Sequence, residues 1–214
     1  MADAPPRALR SDAERNRRLV LEAAAALFAE RGLETGVAEV AQRAGVGNAT
    51  VFRRFPTKQD LIVAVIEARI AEMGSELQAA LEHPDPWLGV VAAMEALARL
   101  QARDRGLFEA IGGRVVGDAH LHARHLELHA VLEDIVARAK AAGVLREDVV
   151  AVDLPLLAAS AAGTCQVAGG EAPELWRRYL GIMLDGLRPA AATPLSERAR
   201  TMDEMLAAKA KLAR

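Results

Sequence analysis

The amino-acid sequence predicts an all-helical fold, and three observations support this. Alanine and leucine, which have the highest intrinsic helix propensities, are abundant, whereas aromatic residues make up only 3% of the 214 residues. Apolar residues recur at three- and four-residue spacing along most of the chain. Hydrophobic residues amount to 52%, which is enough to build the core of a soluble globular protein. We therefore expect packed helices in one or two domains.

The first helix is expected to begin at Ser11. Ser11 and Glu14 have the spacing of a capping box, in which each side chain bonds to the backbone N–H of the other residue. Apolar residues then follow one helical face as far as Gly32, the expected end. Residues 1–10 are rich in Ala, Pro and Arg, and we expect them to be a disordered arm.

A helix, a tight turn and a second short helix are expected next. The helical apolar pattern runs from Val37 to Ala44, stops at Gly45-Val46-Gly47, and resumes from Asn48 to Phe55. A glycine-containing turn of this length sets two helices at a steep angle, so that the second one projects outward. Its small polar and arginine side chains suit the major groove of DNA, where arginine donates twice to guanine and threonine reaches a phosphate or a thymine methyl. This segment is therefore a candidate helix-turn-helix unit.

A long helix is expected from Thr57 to about Leu81. Thr57 and Asp60 have approximate capping-box spacing, and Lys58 lies in the first turn, where free N–H groups and a cation can jointly hold a phosphate. Prolines at positions 84 and 86 end this helix because they cannot continue its hydrogen-bond ladder.

The remaining chain is expected to contain five more helices. They occupy approximately residues 87–100, 107–111, 117–143, 148–168 and 173–187. Gly112-Gly113 is expected to close the second of these and Gly143 the third. The tail after Pro194, with a possible cap at Ser196, is either a further helix or a frayed end.

Charge divides unevenly along the chain. Residues 1–58 contain ten Lys+Arg and seven Asp+Glu, which gives a net charge of +3. The remainder carries −5, so the N-terminal segment is basic although the whole chain has a net charge of −2. This excess is compatible with binding to nucleic acid but is too small to establish it.

The segment GVGNATVFRRFPTKQDL, preceded by a helix that reads ERNRRLVLEAAAALFAERG, resembles the DNA-binding domain of the TetR family of transcriptional regulators. The resemblance covers roughly the first third of the chain. It implies a homodimeric, ligand-responsive regulator, most often a repressor, that a small-molecule effector of unknown identity releases from a palindromic operator in double-stranded DNA. Two residues depart from the family pattern. Phe52 stands where a tyrosine usually contacts a phosphate, and Gly47 replaces the usual serine cap.

On this basis we expect a DNA-binding domain over residues 11–56 and a ligand-binding and dimerisation domain over residues 57–190. Residues 57–82 are the linking helix, and residues 191–214 are the tail. The expected DNA contacts are Arg17, Arg18, Val37, Gly47, Asn48, Ala49, Thr50, Phe52, Arg53, Arg54 and Lys58. For Arg17 and Arg18, ordinary solvation of surface charges is an equally good explanation.

The resemblance implies that the last two long body helices form a four-helix bundle with those of a second subunit. The expected interface residues are Leu156, Ala159, Gly163, Trp176, Tyr179, Leu180, Met183 and Leu184. An effector pocket is expected among the body helices. Its expected lining is Trp87, Met94, Phe108, His122, His125 and Cys165.

Three histidines support an alternative interpretation. His122, His125 and His129 are three and four residues apart, so they share a helical face and could hold a transition metal in a metal-responsive regulator. A partly exposed polar face, or a polar pocket wall, explains them without a metal. We predict no metal and no cofactor.

Other classes of protein find little support. The chain has no glycine-rich phosphate loop and no nucleophile elbow, so we predict that it is not an enzyme. The lone Cys165 excludes an internal disulfide and fits a reducing compartment. We expect neither a secretion signal nor a membrane span, and therefore a cytoplasmic protein without a membrane partner.

Overall fold

The computed structural model describes the backbone of residues 6–167 and 172–212, and the side chains of most of them, apart from residues 6–11, 105–117, 166, 191 and 209–212. Within these ranges the chain forms helices and no strand, so the prediction of an all-α fold is confirmed. The helices are α1 (Pro6–Arg31), α2 (Val37–Ala44), α3 (Asn48–Arg54), α4 (Lys58–Leu81), α5 (Pro86–Gly117), α6 (Ala119–Ala141), α7 (Asp153–Val167), α8 (Leu175–Gly186) and α9 (Met202–Leu212), and a 3₁₀ turn lies at Pro189–Ala191. None of the described helices is long and apolar enough to cross a membrane.

The chain divides into two compact units, and the division falls inside α4. Unit 1 consists of residues 1–69 with 106–111, and unit 2 of residues 70–105 with 112–214.

The start of α1 differs from the expectation. The helix begins at Pro6, ahead of the expected cap at Ser11. Proline is favoured at the first helical position because its missing N–H would have no partner there and its fixed φ suits the helix. The alanine, leucine and arginine residues that follow are strong helix formers. The expectation of a disordered arm is therefore wrong for residues 6–10, and residues 1–5 lie outside the described part of the chain.

The core of unit 1 forms where α2 packs against α1 and α3. Phe28, Val40 and Val51 are completely buried there. At the surface, Arg43 of α2 donates two hydrogen bonds of 2.7 Å to the Glu30 carboxylate of α1. These bonds lower the pKa of Glu30 and raise that of Arg43. Because both side chains of the ion pair are exposed, solvent screens it, and burial of the apolar side chains dominates the stability of this unit.

In unit 2, α5 is interrupted at Asp104, whose φ of −115° and ψ of 25° are not helical. The Asp104 side chain is buried, and Arg103 donates a hydrogen bond of 2.9 Å to its carboxylate. Arg103 also donates two bonds, of 3.0 and 2.9 Å, to Glu72 of α4, and this partner raises the pKa of Arg103. The expected break between residues 100 and 107 is confirmed, but the expected stop at Gly112-Gly113 is wrong, since the helix continues to Gly117.

Both ends of α6 follow from local chemistry. The Asp118 carboxylate accepts hydrogen bonds of 2.9 Å from the N–H of His120 and 3.0 Å from that of Leu121. At the other end Gly143 has a φ of +67°, which glycine adopts without steric cost. The N–H of Val144 then reaches back to the carbonyl of Ala139 at 3.1 Å. The predicted stop at Gly143 is therefore confirmed.

We expect Asp118→Ala to lower the free energy of unfolding by about 1 kcal/mol, because two N–H groups at the start of α6 lose their acceptor. Asp118→Asn keeps an acceptor oxygen at the same position and is the matched control, with a clearly smaller expected loss. Denaturant unfolding followed by circular dichroism measures both variants. Equal losses in the two variants would show that the cap does not depend on the side-chain oxygen.

Arg146 connects the chain after α8 to the rest of unit 2. Arg146, which is buried, donates hydrogen bonds to the Asp148 carboxylate and to the carbonyls of Gly186 and Thr193. The tail then forms α9 rather than a frayed end. Its cap is Thr201, which shares a capping box with Glu204, so the possible cap at Ser196 is not used.

Candidate nucleic-acid interface

The turn between α2 and α3 depends on a glycine. Gly45 has a φ of +68°, and the N–H of Val46 bonds to the carbonyl of Ala41 at 3.0 Å, which closes the end of α2. The next glycine, Gly47, lies in extended conformation as the N-cap of α3 and supplies no side-chain acceptor. Backbone N–H groups at the start of α3 are therefore left available to other partners.

One side of α3 is anchored and the rest is presented outward. Val51, in the middle of the helix, and Phe55, directly after its last residue, are buried. The other six helical residues are exposed or, for Thr50, half-buried; they are Asn48, Ala49, Thr50, Phe52, Arg53 and Arg54. Phe52 is 48% exposed and does not fold back into the core.

The two arginines of α3 differ in their surroundings. Arg53 Nε donates to the carbonyl of Ala49 at 3.2 Å, and its Nη2 donates to Thr50 Oγ1 at 3.3 Å. These two bonds hold the Arg53 guanidinium along the helix surface. Arg54 is exposed and has no ion-pair partner among the described residues.

The start of α4 confirms the predicted capping box. The N–H of Thr57 donates to Asp60 Oδ2 at 2.9 Å, and the N–H of Asp60 donates to Thr57 Oγ1 at 3.1 Å. Lys58 is the first residue of the helix and is half-buried. A positive side chain therefore lies at the positive end of the helix dipole, an arrangement that an anion would stabilise.

Charge along this part of unit 1 has one sign. From position 40 to position 59 the chain has four basic residues and no acidic one. Arg43 is neutralised by Glu30, which leaves Arg53, Arg54 and Lys58 as the positive groups of the turn, α3 and the start of α4.

The remaining predicted DNA contacts also lie in unit 1. Arg18 forms a loose ion pair with Glu22 at 3.8 Å in which both side chains are exposed, and Arg17 has no ion pair within the described ranges. Val37 is the first residue of α2 and is half-buried. Gln42, which the sequence analysis did not select, is also exposed near the end of α2, three residues before Gly45.

The predicted effector-pocket residues are not brought together as a described cavity. Trp87 and Met94 are both buried, and the Arg188 guanidinium covers the Trp87 ring at 3.7 Å from its centroid. Cys165 is half-buried and its Sγ donates to the carbonyl of Pro173 at 3.3 Å. The side chain of Phe108 lies outside the described part of the structure. A surface groove of about 400 Å³, lined by Asp148 and residues 194–199, contains none of the predicted pocket residues.

The candidate metal ligands are three histidines on one face of α6. Among the described residues, no group of three His, Cys, Asp or Glu side chains is placed to share a metal ion. His122, His125 and His129 are all half-buried, and the Nδ1 atoms of His122 and His129 are buried without a hydrogen-bond partner. His129 Nε2 lies 3.3 Å from Glu133 Oε1. The metal-responsive alternative therefore gains no support.

The predicted dimer-interface residues divide into three groups by exposure. Trp176, Leu180 and Leu184 are buried within the protomer, so we reassign them to its own core. Leu156 and Tyr179 are exposed by 43% and 41%. Ala159, Gly163 and Met183 are half-buried. Ile182, which the sequence analysis did not select, is 58% exposed.

Two family profiles match separate parts of the chain. The profile described as bacterial regulatory proteins, tetR family, matches residues 20–65, which include the whole turn and α3. The profile described as transcriptional regulator SbtR-like, C-terminal domain, matches residues 85–189.

Solved structures and a curated relative agree with these matches. A TetR transcription regulatory protein from Mycobacterium vanbaalenii is 35% identical, covers 84% of this chain and 99% of its own, and superposes with a TM-score of 0.63. A TetR transcriptional regulator from Streptomyces coelicolor is 28% identical, covers 82% of this chain and 99% of its own, and superposes with a TM-score of 0.64. An HTH-type transcriptional repressor of Mycobacterium tuberculosis is 35% identical over 85 residues, which are 39% of this chain and 43% of that repressor. The match thus spans less than half of the curated relative.

Proposed function

Because the chain belongs to the TetR family of bacterial regulatory proteins, we propose that it is a sequence-specific, DNA-binding transcriptional repressor. In this proposal it binds a palindromic operator as a homodimer and is released by a small-molecule effector. The observation that carries the proposal is the outward face of α3, where two arginines, an asparagine and a threonine surround one buried anchor, Val51. The groups on this face can donate to base edges in the major groove.

Base-reading and phosphate-binding roles fall on different residues. Arg53 is held in place by Thr50, so less side-chain entropy is lost when it donates to guanine. Lys58, at the N-terminus of α4, is suited to a phosphate. Arg17 and Arg18 on α1 are the further phosphate ligands in this proposal. Phosphate contacts fix the orientation of the protein, and the contacts from α3 supply the sequence preference.

Dimerisation supplies the second recognition helix. A helix of seven residues reads only a few base pairs, whereas two such helices about 34–36 Å apart read a palindrome on one face of the duplex. The exposed Leu156, Tyr179 and Ile182 on the packed pair α7 and α8 support this pair as the interface. Burial of these side chains against a partner would remove apolar surface from water.

Effector binding would act through α4, which runs without interruption from Lys58 to Leu81. Its second half is joined to α5 by Glu72 and Arg103, and to α6 by a hydrogen bond of 2.6 Å from Arg138 to the carbonyl of Leu81. A ligand that shifts α5 or α6 would therefore shift α4 and change the spacing of the two recognition helices. The ligand weakens operator binding to the extent that it binds the altered spacing more tightly than the spacing that fits the operator.

The buried Nδ1 atoms of His122 and His129 support a polar wall for the effector site, because buried polar atoms without a partner are rare in folded proteins. An effector that releases DNA while the spacing of the recognition helices stays the same would refute this mechanism.

The test of the proposed function is selection of bound sequences from a random duplex pool by the full-length protein, followed by titration at several salt concentrations. We expect an enriched palindrome whose affinity falls steeply with salt. Lys58→Ala should reduce the slope of log K against log salt by about 2, since each lost phosphate contact contributes about 0.9 and a dimer loses two. Arg124→Ala, which removes a similar charge from α6, is the control and should leave the slope unchanged. Weak binding to all sequences without enrichment would contradict the proposal.

A further inference from the structure

Phe52 is an unusual residue on the outward face of α3. Its phenyl ring is 48% exposed although the neighbouring Val51 and Phe55 are buried in the core of unit 1. Single exposed apolar side chains are common on protein surfaces, so exposure alone does not assign a role to Phe52. Its place beside the arginines of α3, on the face that the proposed function sets against DNA, gives its exposure a possible use.

The position of Phe52 adds a second apolar group to the same face. Ala49 precedes it by three residues and is also exposed, so the two side chains are neighbours on the helix surface. The polar and charged groups of α3 occupy other positions, with Arg53 bound to Thr50 and Arg54 exposed. The helix thus presents a small apolar strip, Ala49 with Phe52, beside its arginines.

The chemistry of the major groove identifies a match for this strip. A phenyl ring and a methyl group cannot donate a hydrogen bond to a phosphate or to a base edge. The apolar group that a base pair presents in the major groove is the C5-methyl of thymine, and alanine and phenylalanine side chains are among its known partners. The positive charges of Arg53, Arg54 and Lys58 would favour the approach of this face to DNA. We propose that the Ala49–Phe52 strip reads a thymine methyl in each operator half-site.

This inference rests on the proposed function, because it assigns a base preference to the same recognition helix. It adds a specificity-determining contact that carries no charge. The contact would therefore select thymine over cytosine and over uracil while contributing little to the dependence of affinity on salt.

The experiment uses the full-length protein and the operator obtained by selection. Each symmetric pair of thymines is replaced in turn by deoxyuridine, which removes only the methyl groups. One pair is expected to weaken binding of the unmodified protein about tenfold, since each half-site loses one buried methyl. In Phe52→Ala, the thymine and uracil forms of that operator should bind equally. In Ala49→Gly the discrimination should be reduced but retained.

The remaining outcomes overturn the inference. If no uracil replacement matters, or if Phe52→Ala keeps the tenfold discrimination, the ring does not read the methyl. A uniform loss of affinity in Phe52→Ala for both operators would place the ring against the sugar-phosphate backbone instead. An enriched half-site without any thymine would also refute the contact. In each of these cases specific operator binding survives, so the failure is distinct from the failure of the proposed function, in which no sequence is enriched.

Discussion

Replacing both Arg53 and Arg54 by alanine is expected to eliminate specific binding to the selected operator while leaving the fold unchanged. An arginine that donates twice to a base contributes about 1–3 kcal/mol to discrimination, and a homodimer loses every contact twice. We therefore expect the operator Kd to rise by at least about a hundredfold, which corresponds to roughly 3 kcal/mol. Fluorescence anisotropy with a labelled operator measures the change.

The double variant tests DNA recognition separately from the stability of the fold. Both arginines are exposed, so the double variant should unfold at the same denaturant concentration as the unmodified protein. Arg124→Ala, on α6 of unit 2, is the control for loss of an arginine outside the DNA-binding unit and should keep the operator affinity. If the double variant still binds the operator with unchanged Kd, base reading does not depend on these arginines, and the assigned contacts are wrong.

A second large effect is expected from Phe28→Ala, which should lower the free energy of unfolding by about 3–5 kcal/mol. Phe28 lies near the end of α1 with no exposed surface, and it is among the largest fully buried side chains in the described core. Its removal leaves a cavity, and the folded state also loses the free energy gained by transferring a phenyl ring out of water. Denaturant unfolding followed by circular dichroism measures the loss.

Phe52→Ala is the matched control, because it deletes the same ring from an exposed position of the same unit. We expect it to change the free energy of unfolding by no more than about 0.5 kcal/mol. A similar loss of stability in the two variants would show that the Phe52 ring is packed in solution, contrary to its exposure here.

The helix-turn-helix unit could be predicted from the sequence because its signals are local. Gly45 ends α2, and the capping box of Thr57 and Asp60 starts α4. Both features arise from contacts between residues close in sequence. The start of α1 was mispredicted because two local signals competed. The capping-box spacing at Ser11 favoured a late start, whereas Pro6 and the helix formers after it allow an earlier one.

The end of α5 was mispredicted for a related reason. Gly112-Gly113 costs helix stability without forbidding the helix, so glycines inside a periodic segment do not by themselves locate its end. Gly143 differs because its positive φ is required by the bonds that close α6.

The interface and pocket could be predicted less well because they depend on tertiary contacts. The sequence shows that α8 is apolar, but not which apolar residues a protomer uses itself. Trp176 and Leu180 are buried in its own core, whereas Tyr179 and Ile182 remain exposed. The Arg188 guanidinium stacks on the Trp87 ring although the two residues are about a hundred positions apart in the sequence. The periodicity of apolar residues does not reveal such a contact.

The single buried anchor of α3 also determines how readily the protein can be re-targeted. Six of its seven residues lie outside the core, and Val51 is the buried side chain within the helix, with Phe55 buried directly after it. A combinatorial library that varies positions 48, 49, 50, 52, 53 and 54 while keeping Val51, Gly45 and Phe55 should therefore yield mostly folded proteins. Selection from such a library can search for new operators without a parallel search for stabilising mutations. The same separation would let natural duplicates of the gene acquire new target sites in a few substitutions.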